Sequence, residues 1–183
     1  PLLKKEITAI NLVIKNKKEP VTCIIGGSKI STKINVITSL ITKVNNLVIV
    51  GAMANNFFLY KNLKIGKSLI EENTNKVIKD IYKKAELNNC EILIPKDCIV
   101  GTDFDGSGMN KNLNEILDNE IILDIGKNTI KNIQKTINES NTVLWNGPAG
   151  YFENENFSIG TLSIAENISK NTIEKSLISI LGG

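Results

Sequence analysis

The chain has 183 residues, 42% of them hydrophobic, which is enough for one well-buried domain and short for two. All 22 basic residues are lysine, and the absence of Arg and His excludes His-based hydrolytic triads, His-based metal sites and the bidentate phosphate clamp that Arg provides. A net charge of +3 on scattered lysines argues against a nucleic-acid partner, and no apolar run approaches the length of a membrane span.

Leu3, Ile7, Ile10 and Ile14 recur at helical spacing before Pro20, which predicts an amphipathic leading helix. Val21 to Ile25 is a short apolar run ending at glycine, and Ile34, Ile37, Ile41 and Val44 follow at helical spacing. Strand, glycine turn, helix is the simplest reading. The pattern repeats with Leu47 to Val50 before Gly51, and with a helix carrying Val77, Ile78, Ile81, Tyr82 and Ala85 before Ile92 to Ile94. Asp103 to Leu117 is irregular and reads as a surface excursion. Strand Ile121 to Ile125, a helix with Ile130, Ile133 and Ile137, strand Val143 to Trp145, a helix with Leu162, Ala165 and Ile168, and strand Leu177 to Leu181 complete the order. Continuous apolar strands alternating with amphipathic helices predict an α/β fold, a three-layer Rossmann-like parallel sheet with helices on both faces. Ligands of such sheets bind beyond the carboxyl ends of the strands, so the turns at Gly26, Gly51, Gly126 and Gly147 are expected to gather along one edge.

Cys23, Cys90 and Cys98 are odd in number and without a Cys-x-x-Cys pair, which reads as buried reduced thiols in a cytoplasmic protein. The N-terminus lacks the regions of a signal peptide, and both ends of the chain read as cut.

Gly26-Gly27-Ser28-Lys29-Ile30-Ser31-Thr32-Lys33 places two ammonium groups four residues apart at a glycine turn. A helix start with free N–H groups beside Lys29 and Lys33 would suit a phosphate, and a plain glycine turn with an exposed lysine pair is the competing reading. Gly66-Lys67-Ser68 resembles the end of a Walker loop but has Lys61 where that motif requires glycine. Asp103-Phe104-Asp105-Gly106 fails the ligand spacing of a calcium loop and reads as a turn. Trp145-Asn146-Gly147-Pro148-Ala149-Gly150-Tyr151-Phe152-Glu153 concentrates a lone Trp, an amide and a carboxylate directly after a strand, in keeping with a shaped pocket.

Taken in order, the lysine turn, Gly51-Ala52-Met53-Ala54-Asn55, Gly66-Lys67-Ser68-Leu69, Leu123-Asp124-Ile125-Gly126 and Trp145-Asn146-Gly147-Pro148 resemble the C-terminal, nucleotide-binding half of phosphoglycerate kinases over nearly the whole chain. The resemblance implies an interdomain connecting helix over residues 1–19 and a nucleotide-binding domain over 20–183. It implies reversible phosphoryl transfer between 1,3-bisphosphoglycerate and MgADP, giving 3-phosphoglycerate and MgATP in glycolysis. On matching positions, Lys29 meets the transferring phosphoryl group and Lys33 the nucleotide phosphates. Gly27 and Ser28 line the adenine side. Gly51, Ala52, Ile122 and Leu123 line the adenine slot, Asn146 and Pro148 belong to the loop beside phosphates and ribose, and Glu153 accepts from ribose hydroxyls. Gly182 and Gly183 open the family's Gly-rich turn, whose metal-holding Asp is expected beyond residue 183.

The chain departs from the family pattern at Ala52 and Ile122, where glycine is common, at Lys127, where proline is usual, and at Tyr151, where a small apolar residue is usual. Tyr151 either stacks on adenine or narrows its slot. The expected partners are ADP or ATP with Mg2+, and a phosphoglycerate held by a separate N-terminal domain that supplies Arg and His; a monomer is expected. The chain by itself is expected to be inactive. The alternative is a non-catalytic nucleotide-binding or structural remnant of a split or decaying gene.

Overall fold

A computed structural model describes residues 17–182, so the predicted leading helix and Gly183 lie outside the described residues. Five strands form a wholly parallel sheet in the order β3-β2-β1-β7-β8: β1 (Val21–Ile25), β2 (Asn46–Ile49), β3 (Glu91–Leu93), β7 (Thr142–Asn146) and β8 (Ile178–Gly182). Every residue of the central strand β1 is buried, which accounts for its continuous apolar sequence. Its alternating side chains feed two cores. Val21, Cys23 and Ile25 join helices α1 (Ile34–Leu40), α2 (Ala54–Tyr60) and α3 (Asn75–Leu87) on one face, and Ile24 joins α4 (Lys127–Asn138) and α5 (Ile159–Lys175) on the other. Thr22, also on β1, is buried with its hydroxyl bonded to Ser140 Oγ at 2.7 Å. The predicted three-layer α/β arrangement is therefore present.

The helical stripes hold for α3, which buries Ile78, Ile81 and Ala85, and for α4, which buries Ile130, Ile133 and Ile137. On α5 the inner face is Ile164 and Ile168, while Leu162 is exposed; the predicted stripe was rotated because Ala165 and Leu162 supplied an equally regular apolar spacing. Helix α2 escapes periodicity altogether. Its seven residues bury Phe57 and Phe58 side by side, each contributing roughly 2–3 kcal/mol by its burial.

Two expectations require correction. The run Ile121–Ile125 is a strand, β6, but it lies in a second, antiparallel sheet with β4 (Asp97–Gly101) and β5 (Met109–Asn112), ordered β5-β4-β6. An apolar run reports burial and not the identity of its partner. The presumed excursion from Asp103 contains β5, whose Met-Asn-Lys-Asn sequence is mostly exposed and so carries no alternation. The three cysteines are free and buried, as expected. No helix among the described residues is long and apolar enough to cross a membrane.

Candidate functional site

In the main sheet the chain passes from β1 to β2 and β3 on one side, while β7 and β8 lie on the other, so the order reverses between β1 and β7. A crevice forms at such a reversal. Here three turns interlock around it. Gly26 N donates to Asn146 O at 2.8 Å, Met53 N to Gly27 O at 2.9 Å and Gly51 N to Ala149 O at 3.0 Å. A Cβ on Gly26 would lie 2.0 Å from Pro148 O, and Gly51, at φ +70°, packs its Cα against the Gly27 backbone. These glycines are required by the close approach of two backbones.

The interlocked turns border a cavity of about 390 Å³, within the range of small-molecule sites. Gly27, Ser28, Gly51 and Ala52 form one side. Pro148 lies beside them, and Ile122, Leu123, Tyr151 and Glu153 also line the cavity. The structure thus brings nine predicted residues to one cleft. Lys29, Lys33, Asn146 and Gly182 are not in its lining. Lys33 Nζ donates to Asn146 Oδ1 at 2.5 Å, and Gly182 pairs with Asn146 in the β7–β8 register, so these three cluster at the adjacent strand end. Lys29 is exposed on the turn that follows Ser28.

The lysine pair does not ride on a helix, as the spacing suggested. Residues 31–33 form a turn, Lys33 stands at the N-cap, and α1 begins only at Ile34. Ile30 is fully buried, which pins the turn to the core between the two lysines.

Gly126 differs from Gly26, Gly51 and Gly147, because it follows a strand of the second sheet and packs against Asp97 and not against a neighbouring turn. A Cβ there would lie 2.4 Å from Asp97 Cγ. The glycine admits the Asp97 carboxylate to the start of α4, where it accepts from Asn128 N at 3.0 Å and Thr129 N at 2.8 Å. Gly66-Lys67-Ser68 is a brace for the cleft wall: Lys67 N donates to Glu120 O at 2.9 Å, and Ser68 Oγ accepts from Ile122 N at 2.8 Å. Asp103 makes the expected turn, its Oδ1 accepting from Asp105 N and Gly106 N.

Residue-by-residue reading missed Phe58, Leu69, Phe104 and Asp124 in the cleft lining. Phe104 offered one signal, an aromatic residue in a turn with nothing apolar nearby in sequence. Its ring meets Tyr151 edge-on, with centroids 5.2 Å apart and planes at 70°. Asn154 Nδ2 donates to Phe104 O at 2.8 Å, tying the two aromatic turns together at the mouth.

Asp124 is buried beneath the cleft, where it accepts from Gly160 N at 2.7 Å and Ile125 N at 2.8 Å. Burial pushes its pKa from 3.8 up to about 6, against those two bonds. The folded chain therefore holds this proton more tightly than the unfolded chain. Its stabilising contribution is complete below pH 3.8 and is lost as pH rises through about 6. Asp124→Asn should remove this slope, so the wild-type-minus-variant stability difference should fall by about 2 kcal/mol between pH 4 and pH 7 in urea titrations. A difference that stays flat over that interval would exclude a raised Asp124 pKa.

The family model for phosphoglycerate kinase matches residues 1–183, all of the chain. The chain belongs to the phosphoglycerate kinase family. A phosphoglycerate kinase of Wolbachia pipientis subsp. Culex pipiens is 41% identical over 182 residues, covering 99% of this chain and 46% of the relative. One from Granulibacter bethesdensis is 36% identical over 184 residues, covering 100% of this chain and again 46% of the relative. The structure of phosphoglycerate kinase from Coxiella burnetii superposes with a TM-score of 0.90 at 36% identity, over 100% of this chain and 47% of that one. The chain spans about half the length of the curated phosphoglycerate kinases it matches.

Proposed function

We propose that residues 20–183 are the nucleotide-binding domain of a cytoplasmic phosphoglycerate kinase, with residues 1–19 as its connecting segment. In this reading the cleft takes the adenine and ribose of ADP or ATP, and the substrate half is supplied by a separate N-terminal domain. The observation that carries it is the junction of an apolar cleft with the Lys33–Asn146 pair at one strand end. In this reading a flat base enters beside Gly51 and Ala52, and Glu153, which also lines the cleft, accepts from two ribose hydroxyls.

Phosphoryl transfer needs donor and acceptor held in line and the charge on the migrating group neutralised, with no covalent enzyme intermediate. Lys29 supplies that charge to the transferring group and Lys33 to the nucleotide phosphates. Lysine serves here as a mobile point charge. Asn146 holds the Lys33 ammonium at 2.5 Å, which restrains its long side chain at the strand end. Among the described residues no group of three or more His, Cys, Asp or Glu side chains converges. Mg2+ would accompany the nucleotide phosphates and neutralise part of their charge.

The test is titration of the labelled chain with ADP and with adenosine, followed by amide resonances. Binding with a Kd on the order of millimolar is expected, with shifts concentrated at Gly27, Gly51, Leu123 and Tyr151. A coupled assay of the same chain should show no turnover, because the groups that face the lysines belong to the other domain. Shifts scattered away from the cleft would overturn the nucleotide reading, and sustained turnover would overturn the two-domain requirement.

A further inference from the structure

Between Lys29 and Lys33 stands Ser31, and both of its donors go to one carboxylate. Ser31 N donates to Glu71 Oε2 at 2.9 Å, and its hydroxyl to Glu71 Oε1 at 2.5 Å. Glu71 comes from the loop joining α2 to α3, the same loop whose Ser68 braces the cleft wall and whose Leu69 lines the cleft. That loop is itself held from beneath. Asn55 Nδ2 donates to Leu69 O at 2.9 Å, and Asn56 Nδ2 to Glu71 O at 2.7 Å and to Thr74 Oγ1 at 2.9 Å. Glu71 N returns a bond of 3.3 Å to Asn56 Oδ1. Both asparagines are 1% exposed and lie on the first turn of α2, directly after Gly51 and Ala52 of the cleft.

Besides the buried Ile30 and the Lys33–Asn146 pair, the lysine turn is ordered by short-range bonds of its own. Lys33, the N-cap of α1, makes no side-chain capping bond. Within the turn, Lys33 N donates to Ile30 O at 2.9 Å and Thr32 Oγ1 to Lys29 O at 2.8 Å. Burial raises the Glu71 pKa, but the Ser31 bonds and the Lys29 charge outweigh it and hold the carboxyl below its ordinary value, so it is an acceptor at neutral pH. Charge-assisted bonds donated to a carboxylate are stronger than neutral ones. A lysine's reach is set by where its backbone sits, so ordering the backbone between the two lysines restricts both.

We propose that Glu71 is a positioning residue for phosphate binding: it clamps Ser31 and so holds Lys29 and Lys33 in the register that addresses the nucleotide phosphates. This rests on the nucleotide reading above. It also makes the α2 loop the mechanical link between the base side of the cleft, where α2 starts, and the phosphate side. The clamp carries a built-in contrast. A carboxylate near a phosphate site repels the ligand, so a bystander Glu71 would raise anion affinity when removed.

The experiment compares the wild-type chain with Glu71→Ala, Glu71→Gln and Ser31→Ala, reading two quantities. The first is amide exchange at residue 31. The second is the ratio of the adenosine Kd to the ADP Kd, which isolates the phosphate contribution. Glu71→Ala should speed exchange about tenfold and lower the ratio about fivefold, with adenosine affinity held within about twofold. Glu71→Gln, whose carbonyl oxygen still accepts from the residue-31 amide but carries no charge, should fall between wild type and Glu71→Ala on both. Ser31→Ala keeps the amide bond and should lower the ratio about twofold, and it carries the test if Glu71→Ala does not fold. A ratio that rises in Glu71→Ala, exchange that does not change, or a Gln variant as impaired as the Ala variant would each overturn the clamp. A wild-type chain that binds neither compound overturns the nucleotide reading instead, and residue-31 exchange then decides the clamp alone.

Discussion

Gly26→Ala is expected to destabilise the fold by about 4 kcal/mol, the upper end of single-residue effects. Its Cβ would sit 2.0 Å from Pro148 O, 2.6 Å from Gly147 O and 2.8 Å from Pro148 C, and all three are backbone atoms. A flexible side chain could swing away from such a contact, but here two turns would have to separate. Separating them breaks the Gly26 N to Asn146 O bond of 2.8 Å and withdraws Asn146 from Lys33. In a domain of this size the melting temperature should fall by about 10 °C or more. Thermal unfolding of the variant measures this directly, and a loss below about 1 kcal/mol would show that the β1 and β7 turns are not locked as described.

Asp97→Ala should cost about 3 kcal/mol, because it strips the cap from α4 and leaves buried donors without an acceptor. The side chain is fully buried on β4, in the second sheet. Its carboxylate accepts from Asn128 N, Thr129 N, Thr129 Oγ1 and Asn110 Nδ2, at 3.0, 2.8, 2.7 and 3.1 Å. Burial raises its pKa, and these four bonds outweigh burial and bring it below the ordinary 3.8. The stabilisation is therefore present above pH 3.8 and is lost as pH falls through the depressed value, opposite in sign to Asp124. Urea unfolding at pH 7 and pH 3 should show the Asp97→Ala deficit shrinking at the lower pH. A deficit that is equal at both would remove the carboxylate's charge from the explanation.

Asp97 and Gly126 also show why part of the site could not be read from the chain. Gly126 follows an apolar strand just as Gly26 and Gly51 do, and local sequence contains nothing to separate them. One glycine admits a carboxylate from a strand of the second sheet, and the others admit a neighbouring turn of the main sheet. The same limit applies to Glu71, which reads as a solvated acid until its loop is folded back onto Ser31, forty positions earlier in the chain. Phe104 and Tyr151 are likewise far apart in sequence and meet where Asn154 and Asn156 tie their turns together.

By itself the sequence determined the alternating order of strands and helices in the main sheet, the two-sided burial of β1 and the family, because these depend on periodicities and ordered motifs carried within single segments. Seven of the nine predicted residues that meet in the cleft follow the carboxyl end of a main-sheet strand for the same reason, whereas Ile122 and Leu123 come from within β6. Only the tertiary structure decided that β6 belongs to a second sheet, that the two lysines ride on a turn clamped by Glu71, and that Gly126 serves Asp97. Each of these depends on a contact between segments distant in sequence, and local pattern reports that a side chain is buried or polar without saying what it meets.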